Sequence, residues 1–191
     1  MSIRDKLVAK IEKLLLYSVL EVEHEGIKIS DFRSETEGFK DVIISSIDLI
    51  KSLDPKRYKT VKDEIDWLVN SNEPGKYGGF YRRRIKGCFI NFDNYSKDQK
   101  LVSAFFAGLI VHEATHGLLF TKDFGYDTER RLQIERICNS EENRFYKKVE
   151  LEFPEYAGIL ICEFHAGDWD YSWNTSKWKQ AYHALIRVLK D

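Results

Sequence analysis

The chain predicts an α+β fold: helix-rich, with a small, mostly antiparallel sheet beside one long apolar helix. Three observations carry this expectation. Apolar residues recur three or four apart in several separate stretches, the period of helices laid on a core. Two short runs, "GIKIS" and "FYRRRIKGCFINF", have the alternation of strands, and the second reads as a hairpin. The 191 residues are 43% hydrophobic and 14% aromatic, enough to build the core of one domain.

The elements follow in order. Leu7, Ile11, Leu14, Leu15 and Val19 form the stripe of an amphipathic first helix. "GIKIS" at 26–30 is the first expected strand. Phe39, Val42, Ile43, Ile47, Ile50 and Leu53 give a second helix. Asp54-Pro55 turns the chain into a third, expected to run through Val61, Ile65, Trp67 and Leu68. "NSNEPGKYGG" is the clearest loop and separates an N-terminal helical part, 1–75, from a second part, 76–191, within one compact unit. A two-residue hairpin turn at Lys86-Gly87 would pair Ile85 with Cys88, Arg83 with Ile90 and Tyr81 with Phe92. Ser96 or Asp98 can cap a helix over about 101–120, and Asp127 or Thr128 a long one ending near 151, before Pro154. An apolar run, a Trp/Tyr-rich loop and a last helix from about 176 complete the chain.

Composition excludes several classes of function. Thirty basic residues against 31 acidic ones give a net charge of −1, with no global pull toward nucleic acid or membrane. Cys88, Cys138 and Cys162 are odd in number and contain no CxxC pair, against both a disulfide framework and an all-cysteine zinc site. The N-terminus intersperses charges among its leucines, unlike a signal peptide, and no stretch reaches 18 uncharged apolar residues. The expectation is a cytoplasmic protein.

One stretch does not fit a bland core helix. In "LIVHEATHGLLF", His112, Glu113 and His116 stand inside an apolar run. Buried imidazole and carboxylate groups are costly unless paired, hydrogen-bonded or bound to metal. His112 and His116 are four apart, so on a helix their rings project from one face and can share a zinc ion. Glu113 can then reach a water at that ion and act as general base. A five-residue motif carries little weight by itself. Its helical, apolar setting favours a metal site over histidines that merely satisfy one another in a core.

A catalytic zinc usually takes a third protein ligand. The spacing H-E-x-x-H-x-x-G-x-x-H fails, since Leu119 and Lys122 occupy the last two fixed positions. In "ERRLQIERICNSEENRF", Ile134, Cys138, Phe145 and Val149 make an inward stripe, flanked by Glu135 and Glu142 on one side and Glu141 on the other. His112-Glu113-x-x-His116 followed by Glu135-x-x-x-Asn139 resembles the gluzincin, or thermolysin-like, zinc metallopeptidases. The resemblance covers about 80–143. It implies a zincin-like domain with Zn2+ on His112, His116 and Glu135, Glu113 as general base, and Asn139 orienting a ligand histidine. It also implies peptide-bond hydrolysis, with "GCFINF" as the edge strand along which the substrate lies. Asn139 stands where that family often has Asp, and Glu142 is the alternative third ligand. His165 or Tyr171 would be the donor to the oxyanion.

Other features read as structural. Cys138 is expected as a small buried hydrophobe, His24 and His183 as surface residues, and "YRRRIK" as a solvated strand face. The leading function is a zinc-dependent peptidase acting on extended polypeptide. The alternative is a non-catalytic zinc-containing protein on the same fold, with a partner protein in the groove. Hydrolysis of a non-peptide amide would use the same constellation.

Overall fold

The computed structural model describes residues 3–33, 38–71, 79–92, 96–124, 130–161 and 163–164. They form helices α1 (Ile3–Ser18), α2 (Phe39–Leu53), α3 (Pro55–Glu64), α4 (Gln99–Thr121) and α5 (Arg131–Glu152). The strands are β1 (Leu20–His24), β2 (Ile27–Asp31), β3 (Trp67–Asn70), β4 (Gly79–Arg82) and β5 (Gly87–Ile90). The architecture is α+β.

The five strands form one sheet in the order β1-β2-β3-β5-β4. It is mixed, which corrects the expectation of a mostly antiparallel sheet. The outer pairs β1/β2 and β4/β5 are antiparallel, and the inner pairs β2/β3 and β3/β5 are parallel. Parallel neighbours need a long crossover, and α2 and α3 supply it between β2 and β3. The part expected to be helical, 1–75, therefore contributes three strands to the same sheet as β4 and β5.

Side-chain alternation separates the two faces of the sheet. Ile27, Ile29, Leu68, Cys88 and Ile90 join the large core built with α2, α3, α4 and α5. Trp67, Val69 and Phe89 join a smaller cluster with Ala9 and Leu16 of α1 and with Ile85. β3 is thus buried on both faces, and such strands read as continuous apolar runs. That is why "IDWLV" passes for helix in the sequence. In the structure α3 stops at Glu64, with Ile65 already extended (φ −119°, ψ 112°).

Three further differences have specific causes. Strand β1 occupies a stretch that the helical spacing of Val19 obscures. It joins β2 through Glu25 and Gly26, both with positive φ (52° and 75°), a two-residue hairpin turn. The second hairpin forms in another register: Gly79 pairs with Ile90, Phe80 with Phe89, Tyr81 with Cys88 and Arg82 with Gly87. Its turn is a 3-10 turn at Arg83–Ile85 closed by Lys86 in the left-handed region (φ 50°), so it takes four residues rather than two. Finally, α1 does not bury its leucine stripe. Leu7, Ile11, Leu14 and Leu15 are 50–61% exposed, while Ala9 and Leu16 are buried. The docked face is set by Glu12, which meets Arg82 (3.3 Å) and Arg84 (3.9 Å), and by Tyr17, whose ring meets Trp67 edge-on at 4.8 Å.

Helix α4 is the central element. Asp98 caps it, its Oδ1 accepting from the backbone N–H groups of Lys100 and Leu101 at 3.1 Å. Among the described helices α4 alone is long and apolar enough to cross a bilayer, yet 83% of its apolar window is buried within the fold. Helix α5 packs against it in the opposite direction. The two helices come close at Gly108, where a Cβ would lie 2.1 Å from the Tyr146 ring. That contact, and the Tyr146 hydroxyl on the Phe105 carbonyl (3.0 Å), fixes the relative register of the two helices.

Candidate metal centre

Antiparallel packing of α4 on α5 brings the histidines of one helix to the acids of the other. His112 and His116, 6% and 8% exposed, lie one turn apart with ring centroids 5.1 Å from each other. Glu135, 3% exposed, faces both: its Oε2 is 3.4 Å from His112 Nε2 and 3.4 Å from His116 Nε2. The sequence-expected pair of histidines and third acid therefore converge on one point.

The separation is informative. It exceeds the 2.7–3.2 Å range of an N–H···O hydrogen bond. Atoms about 2.0–2.1 Å from a common tetrahedral centre, the zinc–nitrogen and zinc–oxygen range, stand about 3.3–3.4 Å from one another. Glu135 Oε2 is at that distance from both ring nitrogens. The donor set of two imidazoles and one carboxylate fits zinc in chemistry as well as in spacing.

Glu142 has a different place from the one its spacing left open. Its Oε2 accepts from His112 Nδ1 at 2.9 Å, so it touches the far side of that ring, away from Glu135. Its Oε1 accepts from the Tyr146 hydroxyl at 3.0 Å. A carboxylate there fixes the ring and its tautomer, leaving Nε2 to point at the centre. Asn139, expected in that bracing role, has its Oδ1 on Asn143 Nδ2 (3.1 Å) instead. Burial by itself would strip His112 of its proton; without a metal, Glu135 and Glu142 outweigh it and push its pKa up to about 10, and an ion on Nε2 would take the place of that proton.

Glu113 is 4% exposed, and its Oε2 has no hydrogen-bond partner among the described residues. Burial raises its pKa, opposed by His116 and His112 and reinforced by Glu135 and Glu142. A carboxylate whose proton affinity is raised in this way is a better general base than a solvated one. Glu141, on the other flank of α5, is engaged elsewhere, with Oε2 2.7 Å from Arg57.

Sequence reasoning did not find two of the residues around this centre. Tyr146 braces Glu142, and nothing in its spacing marks it as other than core. Cys138, expected as a small buried hydrophobe facing inward between the ligands, is buried, and its sulfur and one ring nitrogen from each of His112 and His116 lie within 4.8 Å of one another, a donor role its reading did not include. Its position three residues after Glu135 was the available signal. His165 and Tyr171, the expected oxyanion donors, and His183 lie outside the described residues. His24 pairs with Asp48 Oδ1 at 2.8 Å, away from the centre. Two arginines of "YRRRIK" lie over aromatic rings, Arg82 over Phe89 (4.3 Å to the centroid) and Arg83 over Phe120 (5.5 Å). "GCFINF" contains β5, an interior strand, and β4 holds the edge beside α4.

No family model, curated protein or solved structure matches this chain.

Proposed function

We propose that this protein is a zinc-dependent hydrolase, a metallopeptidase of the gluzincin-like kind, acting on extended polypeptide. The observation that carries the reading is the single oxygen of Glu135 placed 3.4 Å from both histidine Nε2 atoms, with Glu113 buried next to the first of them. His112, His116 and Glu135 would hold the ion. When bound, zinc lowers the pKa of water toward about 7 and polarises a carbonyl.

The remaining work falls to side chains. Glu113 takes a proton from the attacking water as its oxygen adds to the peptide carbonyl carbon. It returns that proton to the nitrogen as the C–N bond breaks. Glu142 and Tyr146 keep His112 in one tautomer and orientation throughout. The antiparallel edge strand β4 runs beside the same part of α4. A Cβ on Gly79 would meet Leu109 at 3.3 Å, and one on Gly117 would meet Tyr81 at 3.0 Å. Its outer backbone edge suits an extended peptide added as a further strand.

The experiment is elemental analysis plus turnover. Purified protein should carry about one zinc per chain, and His112→Ala should lose it. Glu113→Gln should keep the metal and lose at least about a hundredfold in hydrolysis of unfolded polypeptide. Protein that neither contains nor accepts zinc would overturn the proposal. The second reading, a metal-binding protein without catalysis, is favoured by the cysteine sulfur close to both histidines. It predicts zinc without hydrolysis in the wild type.

A further inference from the structure

We propose that Cys138 is a metal donor, closing the shell of His112, His116 and Glu135 with sulfur so that the resting protein offers the ion no solvent position. The inference rests on the metal site of the preceding section and adds a state to it. Cys138 follows Glu135 by three residues on α5, so both side chains leave the helix on the same side. That side faces the turn of α4 that carries both histidines. The Cys138 sulfur and one ring nitrogen of each histidine lie within 4.8 Å of one another.

Zinc–sulfur bonds of about 2.3 Å and zinc–nitrogen bonds of about 2.0–2.1 Å place tetrahedral S and N donors about 3.6 Å apart. The difference between the 4.8 Å bound and that spacing is about 1.2 Å, within reach of a rotamer adjustment of the thiol. Burial points the same way. Cys138 is 0% exposed, Glu135 3%, His112 6% and His116 8%. A structural zinc has four protein donors and a closed shell, whereas a catalytic one leaves a position open. Here Glu135 Oε2 stands 3.4 Å from each histidine Nε2, and the chain provides a further, soft donor beside the two rings.

Glu113 is the second sign that something is to be accommodated at this point, since its buried Oε2 has no partner among the described residues. A closed shell gives that carboxylate nothing to activate. Only when sulfur leaves does a water enter between the ion and Glu113. Closure breaks the S–H bond as the sulfur–metal bond forms, the proton passing to solvent. Opening reverses it, with water taking the vacated position and the thiol regaining a proton. No electron is transferred in either direction.

Cobalt(II) loading of the metal-free full chain tests this directly. Cobalt bound by a thiolate shows a near-ultraviolet sulfur-to-metal charge-transfer band, which nitrogen and oxygen donors do not give. The wild type should show the band. Cys138→Ser and Cys138→Ala should bind cobalt at least about tenfold more weakly, without the band, and should hydrolyse polypeptide faster when loaded with zinc. The alanine variant keeps a small apolar group in the buried position, so it covers a serine variant that fails to fold. Wild-type protein that binds cobalt without the band overturns the sulfur donor and leaves the hydrolase reading standing, as does a band that persists in both variants. Protein that takes up neither cobalt nor zinc overturns both.

Discussion

Replacing Glu135 and Glu142 separately by alanine distinguishes a metal ligand from the group that steadies one. The two acids are seven residues apart on the same face of α5, yet they approach His112 from opposite sides. Glu135 Oε2 is 3.4 Å from Nε2, and Glu142 Oε2 is 2.9 Å from Nδ1. Apparent zinc-binding free energies of about 10–16 kcal/mol for sites with four protein ligands correspond to about 2.5–4 kcal/mol per ligand. Losing one ligand should therefore weaken zinc binding by on the order of 10²–10³-fold. Losing the carboxylate behind His112 should cost about 10–100-fold, the usual range for groups that orient a ligand. Asn139→Ala should have little effect, because Asn139 bonds to Asn143 and no bond joins it to a histidine among the described residues.

The assay is competition with a chromophoric zinc chelator, run on metal-free protein at fixed pH and ionic strength. Far-ultraviolet circular dichroism alongside confirms that each variant is folded. The expected order of loss is Glu135→Ala, then Glu142→Ala, then Asn139→Ala. If Glu142→Ala abolishes binding while Glu135→Ala retains it, the third ligand has been misassigned and the 3.4 Å separations are incidental. If Asn139→Ala weakens zinc as much as Glu142→Ala does, the bracing role assigned to Glu142 fails.

Two further predictions concern the frame that holds the site. Asp54, 1% exposed, caps α3 and lies against Arg57 and Lys148, whose hydrogen bonds outweigh burial and hold its pKa below the usual value. Asp54→Asn should lower stability at neutral pH by about 1–3 kcal/mol, and the gap should close as pH falls below about 4, because a depressed carboxylate loses its contribution on protonation. Urea midpoints at pH 7 and pH 3 would show it, and an equal gap at both would refute it. Gly108→Ala puts a methyl 2.1 Å from the Tyr146 ring, so thermal stability should fall by roughly 1–3 kcal/mol. Zinc affinity should fall with it as Tyr146 withdraws from Glu142, and unchanged melting would mean that the two helices are not held in register there.

The parts of this fold that local chemistry determines were legible in the sequence. The Asp98 cap, the apolar setting of the HEATH turn and the inward stripe of α5 all depend on neighbours within a few residues. Ile134, Cys138, Phe145 and Val149 are each 0–1% exposed, as their spacing requires. What the sequence left open depends on partners far along the chain. Glu135 and Glu142 present the same spacing, and only the depth at which α5 seats on α4 tells them apart. That depth is set by Tyr146 resting on Gly108, a contact without a motif. The leucines of α1 have helical period, but Glu12 with two distant arginines, and Tyr17 with Trp67, decide which face docks. The "IDWLV" run reads as helix because a strand covered on both faces loses its alternation. His112 and His116 stood out for the opposite reason: polar residues in an apolar run violate the local pattern, and such violations collect at functional sites.

That violation has an energetic consequence in the metal-free protein, and it gives a prediction of opposite sign to an ordinary core substitution. Glu113 is buried, and burial is the largest influence on its carboxyl. The histidines favour the charged form while Glu135 and Glu142 oppose it, and the net result is a raised pKa. A carboxyl with its folded-state pKa raised supports folding fully only below its unfolded value of about 4.3, and that support is lost as pH rises through the folded value. Glu113→Gln keeps the shape and removes the charge. Without metal the variant should therefore be more stable than wild type at pH 7–8, by about 1–2 kcal/mol, the scale of leaving a buried polar group poorly satisfied. The advantage should shrink toward pH 4, where the wild-type side chain is itself neutral. Melting curves of chelator-treated protein across this pH range measure the effect. A Glu113→Gln variant less stable than wild type at every pH would mean that Glu113 serves packing or hydrogen bonding in the fold, and the case for its being held ready as a base would fall with that result.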